Sequence, residues 1–108
     1  MRTVELLVAL FTVTAGLLAA ASAEGADVAR GQALVEANCG SCHALGETGA
    51  SLHPQAPPFR DVFVRYPPDL LAEALAEGIS TGHPDMPEFV AEPDEIADII
   101  AYLETLVR

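Results

Sequence analysis

The five residues Cys39-Gly40-Ser41-Cys42-His43 constrain this chain more than any other feature, because their spacing suits one kind of covalent chemistry. Two thiols at this spacing can each form a thioether bond to one haem macrocycle, and the histidine that follows is then held under the iron. Nε2 of His43 would bind the iron, while its Nδ1–H would need an acceptor that fixes the ring. The motif therefore predicts one covalently attached haem c, with His43 as an iron ligand.

Three other uses of a cysteine pair are less well matched. A zinc site takes four ligands, usually from two such pairs, but this chain has no third cysteine and its other histidines are His53 and His83. A thioredoxin-like redox pair should follow a strand in a βαβ unit, and the sequence contains no such pattern. A disulfide between Cys39 and Cys42 would close a very short loop and stabilise little.

Residues 1–23 have the features of a secretory signal peptide. Arg2 precedes an apolar run over 6–21, and Ala21-Ser22-Ala23 supplies an A-x-A cleavage pattern. The run is shorter than the roughly 20 residues that a membrane-spanning helix needs. We therefore expect export to the periplasm and a mature domain over 24–108. An uncleaved membrane anchor is the alternative, because Glu5 offsets Arg2.

The charge of the chain is strongly one-sided, with 16 acidic and 5 basic residues and a formal net charge of −11. All five basic residues are arginines. Such a balance argues against nucleic acid and anionic membranes as partners, and it favours redox partners with basic docking faces. The alternative is that the acidity only keeps a small protein soluble.

Capping residues and apolar periodicity predict helices in the mature part of the chain. Asp27 is a good N-cap, prolines followed by acids at 68–69 and 93–94 are typical of helix starts, and Gly78 is typical of a helix end. The last segment has the clearest apolar repeat at i, i+3, i+4 and i+7. The predicted segments are 28–38, 61–66, 67–77 and 93–107, the second being a single turn or a short helix.

Gly31 lies inside the first predicted helix, where glycine costs about 1 kcal/mol relative to alanine. This cost suggests that another backbone or a ring approaches closely, although a tolerated weak spot is the alternative. Tyr102 of the last helix is the predicted neighbour, so we expect the terminal helices to cross there.

The loop after His43 contains the stiff run Ala56-Pro57-Pro58-Phe59, in which proline fixes φ and restricts the preceding residue. A prolyl carbonyl here is a suitable acceptor for Nδ1–H of His43, and Phe59 could pack on the haem or belong to the ordinary core. Arg60, with Arg65, is a candidate partner for haem propionates, or simply part of the surface charge. His53, beside Pro54, is expected to be exposed rather than an iron ligand.

Met86 is the second candidate iron ligand. Outside residues 1–23 it is the only methionine, and it lies between Pro84 and Pro87 in a loop rather than on an apolar stripe. A thioether is a soft, neutral ligand that suits the sixth position of haem iron and raises its potential. His83 is the competing ligand, and the place of Met86 between two prolines favours the methionine.

Taken together, these motifs resemble those of the small, exported class I cytochromes c of bacteria, over essentially all of 24–108. The resemblance rests on Cys39 to His43, on Ala56 to Phe59, on Gly82-His83-Pro84-Asp85-Met86-Pro87 and on Ile99-Ile100-Ala101-Tyr102-Leu103. It implies an all-α fold of three to four helices around one haem. It also implies thioether bonds at Cys39 and Cys42, axial ligands His43 and Met86, a Pro57 carbonyl acceptor, and a contact between Gly31 and Tyr102.

The function that this resemblance implies is single-electron transfer between redox partners, not catalysis. The mitochondrial branch docks through lysines, which this chain lacks, so its partners should carry basic faces. Two alternatives are a haem sensor or peroxidase with a labile methionine ligand, and the haem subunit of a larger periplasmic dehydrogenase.

Overall fold

Four α-helices form the regular structure of this protein in a computed structural model that describes residues 25–79 and 83–107. No strand occurs among these residues, so the predicted all-α fold is confirmed. A short 3₁₀ turn, Pro68–Leu70, precedes the third helix. The helices are α1 (Val28–Asn38), α2 (Phe59–Arg65), α3 (Leu71–Glu77) and α4 (Pro93–Thr105).

The first helix begins and ends as its local sequence predicts. The Asp27 carboxylate accepts a hydrogen bond from the Arg30 amide at 3.0 Å, which satisfies one of the free N–H groups of the first turn. The second helix begins at Phe59, two positions earlier than predicted. Pro58 causes this, because its carbonyl accepts from the amides of Asp61 and Val62 at 2.9 and 3.2 Å and so starts the helical ladder.

The third helix begins later than predicted, because its first turn is wound as a 3₁₀ helix. The Leu70 amide donates to the Pro67 carbonyl at 3.0 Å, an i→i+3 bond rather than an i→i+4 bond. At the other end, Gly78 adopts a φ of 100°, a conformation that favours glycine. The chain leaves α3 there and turns toward the segment that carries Met86.

The two terminal helices cross at Gly31, as expected. The main-chain atoms nearest to a Cβ built at Gly31 belong to Asp98 and Ile99 on α4, one turn before Tyr102. The contact between Gly31 and Tyr102 stays a prediction. Tyr102 belongs to the buried core. That core consists of Val35, Phe59, Phe63, Leu75, Ala91, Ile99, Tyr102 and Leu103.

Asp98, which the sequence reasoning missed, is a buried acid at this crossing. Its Oδ1 accepts from the Asp27 amide at 2.7 Å, and its Oδ2 lies 3.3 Å from Nη1 of Arg30. These contacts join the start of α1 to the middle of α4 and satisfy both oxygens of a carboxylate that would otherwise be costly to bury.

The predicted signal peptide, residues 1–23, lies outside the described part of the chain. Residues 80–82 of the methionine loop also lie outside it. Among the helices that the structure describes, none has the length and apolar character to cross a membrane. The division into a leader and a domain over 24–108 stays a prediction.

Candidate haem-binding site

A cavity of about 480 Å³ opens between the helices, within the size range of cofactor sites. Its wall is largely apolar and includes the core residues Phe59, Phe63, Leu75, Ile99 and Leu103. The structure brings the four predicted haem-binding side chains into the lining of this one cavity. They are Cys39, Cys42, His43 and Met86.

A turn at the end of α1 presents the two cysteines to the cavity. The Cys39 amide closes the helix on the Val35 carbonyl at 2.8 Å, and the amides of Cys42 and His43 then donate to the Cys39 carbonyl at 3.2 and 2.9 Å. The two cysteines are not bonded to each other. Burial raises the pKa of the Cys39 thiol to about 11, which keeps it protonated at neutral pH.

His43 is oriented by the loop that follows it. Its Nδ1 lies 2.7 Å from the Pro57 carbonyl oxygen. Because a carbonyl can only accept, Nδ1 carries the proton, and Nε2 keeps the lone pair that metal coordination requires. The Phe59 ring packs on the imidazole with a centroid distance of 4.9 Å. The ring therefore has a defined tautomer and a packed face.

Backbone hydrogen bonds fold this loop so that Pro57 reaches His43. The His53 amide donates to the Cys42 carbonyl at 3.1 Å, and the Phe59 amide donates to the Ala44 carbonyl at 2.9 Å. Ser51, whose role was not predicted, accepts from the Ala44 amide through Oγ at 3.0 Å. The two ends of the loop are thus tied to the residues on either side of His43.

Arg60, a candidate partner for haem propionates, contacts the loop after His43, and its role toward propionates stays a prediction. Its guanidinium donates to the carbonyl oxygens of Gly49 and Gly46, at 2.7 and 3.3 Å. The side chain lines a smaller cavity, with Glu47 and Val64, instead of the large one. Arg60 therefore braces the loop after His43 from its outer side.

Met86 reaches the cavity from the segment between α3 and α4. The Met86 amide donates to the His83 carbonyl at 3.2 Å, which makes a tight turn around Pro84. The Ala91 amide donates to the Leu75 carbonyl at 2.9 Å and joins the end of this segment to α3. The methionine is half-buried, as a side chain in a cavity wall should be.

His83 and His53 occur together at the rim of the cavity, with ring centroids 5.7 Å apart. Both ring nitrogens of His83 contact protein groups, the Asp85 amide at 3.2 Å and Oε1 of Gln55 at 2.5 Å. The expectation that His53 is exposed was wrong, because only 25% of its side chain is accessible and its Nε2 lies 3.1 Å from Oδ2 of Asp85. No pattern within either loop alone could predict contacts between positions so far apart.

The donor set fits a covalent haem better than a metal ion alone. Within 25–79 and 83–107, no group of three or more histidine, cysteine, aspartate or glutamate side chains is arranged to hold a metal ion. The cavity instead combines two thiols, the imidazole of His43 and one thioether with apolar walls, while the rings of His53 and His83 at its rim bond to Asp85 and Gln55. That combination matches haem c, in which the cysteines bind the macrocycle and the other two side chains can ligate iron.

Fold and site thus define a small all-helical protein with a cavity suited to covalent haem. Residues 26–103 match the family described as "Cytochrome C oxidase, cbb3-type, subunit III". The chain is 33% identical to cytochrome c-552 of Bradyrhizobium diazoefficiens over 106 residues, which cover 98% of this chain and 94% of that protein. It is 32% identical to a cytochrome c-553-like protein of Synechocystis sp. over 80 residues, 74% of this chain and 70% of that protein.

The chain therefore belongs to the cytochrome c family. Membership implies a covalently bound haem c and the role of a haem electron carrier with redox protein partners. The predicted family and the predicted class of fold are both confirmed.

Proposed function

We propose that this protein is an exported monohaem cytochrome c that carries single electrons between redox partners. Cys39 and Cys42 would hold the haem through thioether bonds, and His43 and Met86 would be its axial ligands. The observation that carries the proposal is that one apolar cavity gathers these four side chains from opposite halves of the chain.

The chain's own residues prepare this site for electron transfer. Bound haem supplies a one-electron ferric–ferrous couple. The Pro57 carbonyl fixes the tautomer of His43, so a neutral nitrogen is available as a ligand. Met86 supplies a soft thioether, which favours the reduced state of the iron and raises the reduction potential.

The core side chains in the cavity wall exclude water. Because His43 and Met86 would both be ligands of the iron, no coordination position would be left for a substrate, which suits a carrier rather than an enzyme.

The charge of the chain supports partners with basic docking faces. A formal net charge of −11 produces an attractive field for cationic proteins and a repulsive one for nucleic acids and anionic membranes. The absence of lysine leaves four arginines in the proposed mature part, residues 24–108. A transient complex would then form by electrostatic steering, which raises association rates without strengthening the bound state much.

Intact mass after expression in a bacterium with cytochrome c maturation tests attachment and export together. We expect the mass of residues 24–108 plus one haem. A Cys39→Ser, Cys42→Ser double variant should carry no covalent haem. Mature chain without haem would contradict the proposal, and haem on the full-length chain would contradict cleavage and indicate a membrane-anchored cytochrome.

The axial ligand needs a separate measurement. The oxidised protein should show the red-end charge-transfer absorption of methionine–iron ligation, and Met86→Ala should abolish it. Val90→Ala is the matched control, because Val90 is 58% exposed in the same segment and does not line the cavity. Retention of the band in Met86→Ala would contradict ligation by this residue.

A further inference from the structure

Two short segments at the rim of the cavity share the pattern His-Pro-polar, and they bond to each other reciprocally. They are His53-Pro54-Gln55, in the loop after His43, and His83-Pro84-Asp85, directly before Met86. All four of the non-proline residues line the cavity. We call this group, His53, Gln55, His83 and Asp85, the histidine clamp.

Within each segment, the histidine ring accepts from the amide two residues later. The Gln55 amide donates to Nδ1 of His53 at 3.1 Å, and the Asp85 amide donates to Nδ1 of His83 at 3.2 Å. The intervening proline has a restricted φ and no N–H of its own, which favours this compact turn. The same local structure therefore occurs twice, once on each side of the rim.

These local bonds determine which atom of each ring faces the other segment. A backbone amide can only donate, so each Nδ1 is an acceptor and each neutral ring carries its proton on Nε2. The Nε2–H of His53 then donates to Oδ2 of Asp85 at 3.1 Å, and that of His83 donates to Oε1 of Gln55 at 2.5 Å. Each segment thus provides one donor and one acceptor to the other.

We propose that the histidine clamp positions Met86 by joining its segment to the loop that orients His43. The inference rests on the proposed His43 and Met86 ligation and extends it to four residues that are not themselves proposed ligands of the haem. The link to Met86 is short, because the Met86 amide donates to the His83 carbonyl at 3.2 Å. When the clamp opens, the Met86 thioether should leave more readily the position that it would occupy as a ligand.

The clamp also assigns a use to His83 other than iron ligation. Its two ring nitrogens already bond to Asp85 and Gln55. For His83 to bind iron, it would have to give up at least one of these bonds. His83, His53, Gln55 and Asp85 are therefore positioning residues for the methionine.

Replacement of the two exposed acceptors tests the clamp in the haem-loaded protein. Gln55→Ala removes the acceptor for His83, and Asp85→Ala removes the acceptor for His53, while both keep the backbone amides. The readouts are the methionine–iron charge-transfer band and the rate at which the reduced protein binds carbon monoxide, which requires the methionine to dissociate. Haem content and helical circular dichroism establish that each variant is folded.

We expect each alanine variant to bind carbon monoxide about fivefold faster than the parent, the factor for one hydrogen bond of ordinary net strength. The double variant should be roughly thirtyfold faster if the two bonds act independently. The conservative variants Asp85→Asn and Gln55→Glu keep an acceptor oxygen and should stay close to the parent. Glu77→Ala, an exposed acid on α3, is the control for loss of a surface charge.

The outcomes separate the clamp from the ligation on which it rests. Alanine variants that match the parent would overturn the clamp, and so would an Asp85→Asn variant as fast as Asp85→Ala, because charge would then be responsible. A parent protein without the charge-transfer band would overturn Met86 ligation itself, and the clamp's role with it. The proposal is supported if carbon monoxide binds faster to the alanine variants of Gln55 and Asp85 but not to the conservative variants or the Glu77→Ala control.

Discussion

At Gly31, a hydrogen atom in place of a side chain lets the main chain of α1 lie directly against that of α4. A Cβ at this position would overlap the Asp98 carbonyl oxygen. The overlapping atoms belong to the main chain, not to the flexible end of a side chain, so the overlap can be relieved only if one helix shifts. The crossing of α1 and α4 therefore depends on this glycine.

Gly31→Ala should destabilise the fold by at least about 3 kcal/mol, because overpacking at a backbone contact is relieved only by moving a helix. Gly31→Val should leave the domain unfolded. Urea denaturation followed by circular dichroism measures the loss. Gly25→Ala is the matched control, since its added methyl group meets nothing within 4 Å. Equal stability of Gly31→Ala and Gly25→Ala would refute the contact.

Asp98→Ala should lower the free energy of unfolding by about 2–3 kcal/mol, because the partly buried Asp27 amide and the Arg30 guanidinium both lose a charged acceptor. Asp98→Asn keeps an oxygen for the Asp27 amide and should cost less. Asp94 also pairs with Arg30, at 3.2 Å, but its side chain is 70% exposed, so Asp94→Ala should change stability by less than about 1 kcal/mol. Similar losses at 94 and 98 would contradict this account.

The two tyrosines give a pH test with an internal control. Burial, assisted by the charge of Glu36, raises the pKa of Tyr102. A raised pKa means that the folded protein binds the phenol proton more tightly than the unfolded chain does. The contribution of Tyr102 to the free energy of unfolding is therefore complete below the ordinary tyrosine pKa near 10. It is lost as pH rises through the pKa of Tyr102 in the folded protein. Tm should therefore fall less above pH ~10 in Tyr102→Phe than in the parent. Tyr66→Phe, at a tyrosine 44% exposed, should follow the parent, and a parallel fall in all three proteins would contradict the assignment.

At the scale of helices, capping residues and prolines in the sequence predicted those helix ends that local hydrogen bonds determine. The start of α1 followed from Asp27, and the start of α4 followed from Pro93 and the acids beside it. The errors at the starts of α2 and α3 arose where proline carbonyls began a turn that composition alone does not reveal. The Gly31 crossing was predicted, but the closest approach to Asp98 was not, because a glycine indicates close approach without specifying which residue of the other helix lies nearest.

Gly78 connects α3 to the methionine segment and should not tolerate a side chain. Its φ of 100° is strained for alanine, and a Cβ would also meet the Glu88 side chain. Gly78→Ala should lower the free energy of unfolding by about 1–2 kcal/mol. The double variant Gly78→Ala, Glu88→Ala removes the contact but keeps the strained φ, so it should recover only part of the loss. Full recovery would show that the contact alone was responsible. Gly46→Ala is the control, because a Cβ there makes only an ordinary contact, the nearest being with the Thr48 carbonyl oxygen at 3.5 Å.

At the scale of the molecule, those parts of the site were predictable whose residues lie close together in the sequence. Cys39, Cys42 and His43 form a contiguous motif, and Met86 was conspicuous between prolines, so the cavity contains residues that the sequence already indicated. The roles of Asp98, Gln55 and Asp85 were not predicted, because each acts through a partner in another segment. That of Ser51 was not predicted either, because its partner is a backbone amide seven residues away. The contacts of Arg60 with two loop carbonyls were not predicted either, since charge alone suggested propionates as its partners.

The net charge of −11 should control how fast this protein meets its partners. Opposite charges steer two proteins together over distances comparable to the Debye length, which is ~30 Å at 0.01 M salt and ~3 Å at 1 M. The second-order rate of electron exchange with a lysine-rich redox protein should therefore fall at least ~10-fold between these limits. With an acidic redox protein of similar size and potential, the rate should rise with salt, because screening removes repulsion. Both rates depend on the same haem and the same driving force, so opposite salt dependences isolate the charge of the docking face. Rates that fall equally with both partners would contradict electrostatic docking and indicate that the acidic surface serves solubility alone.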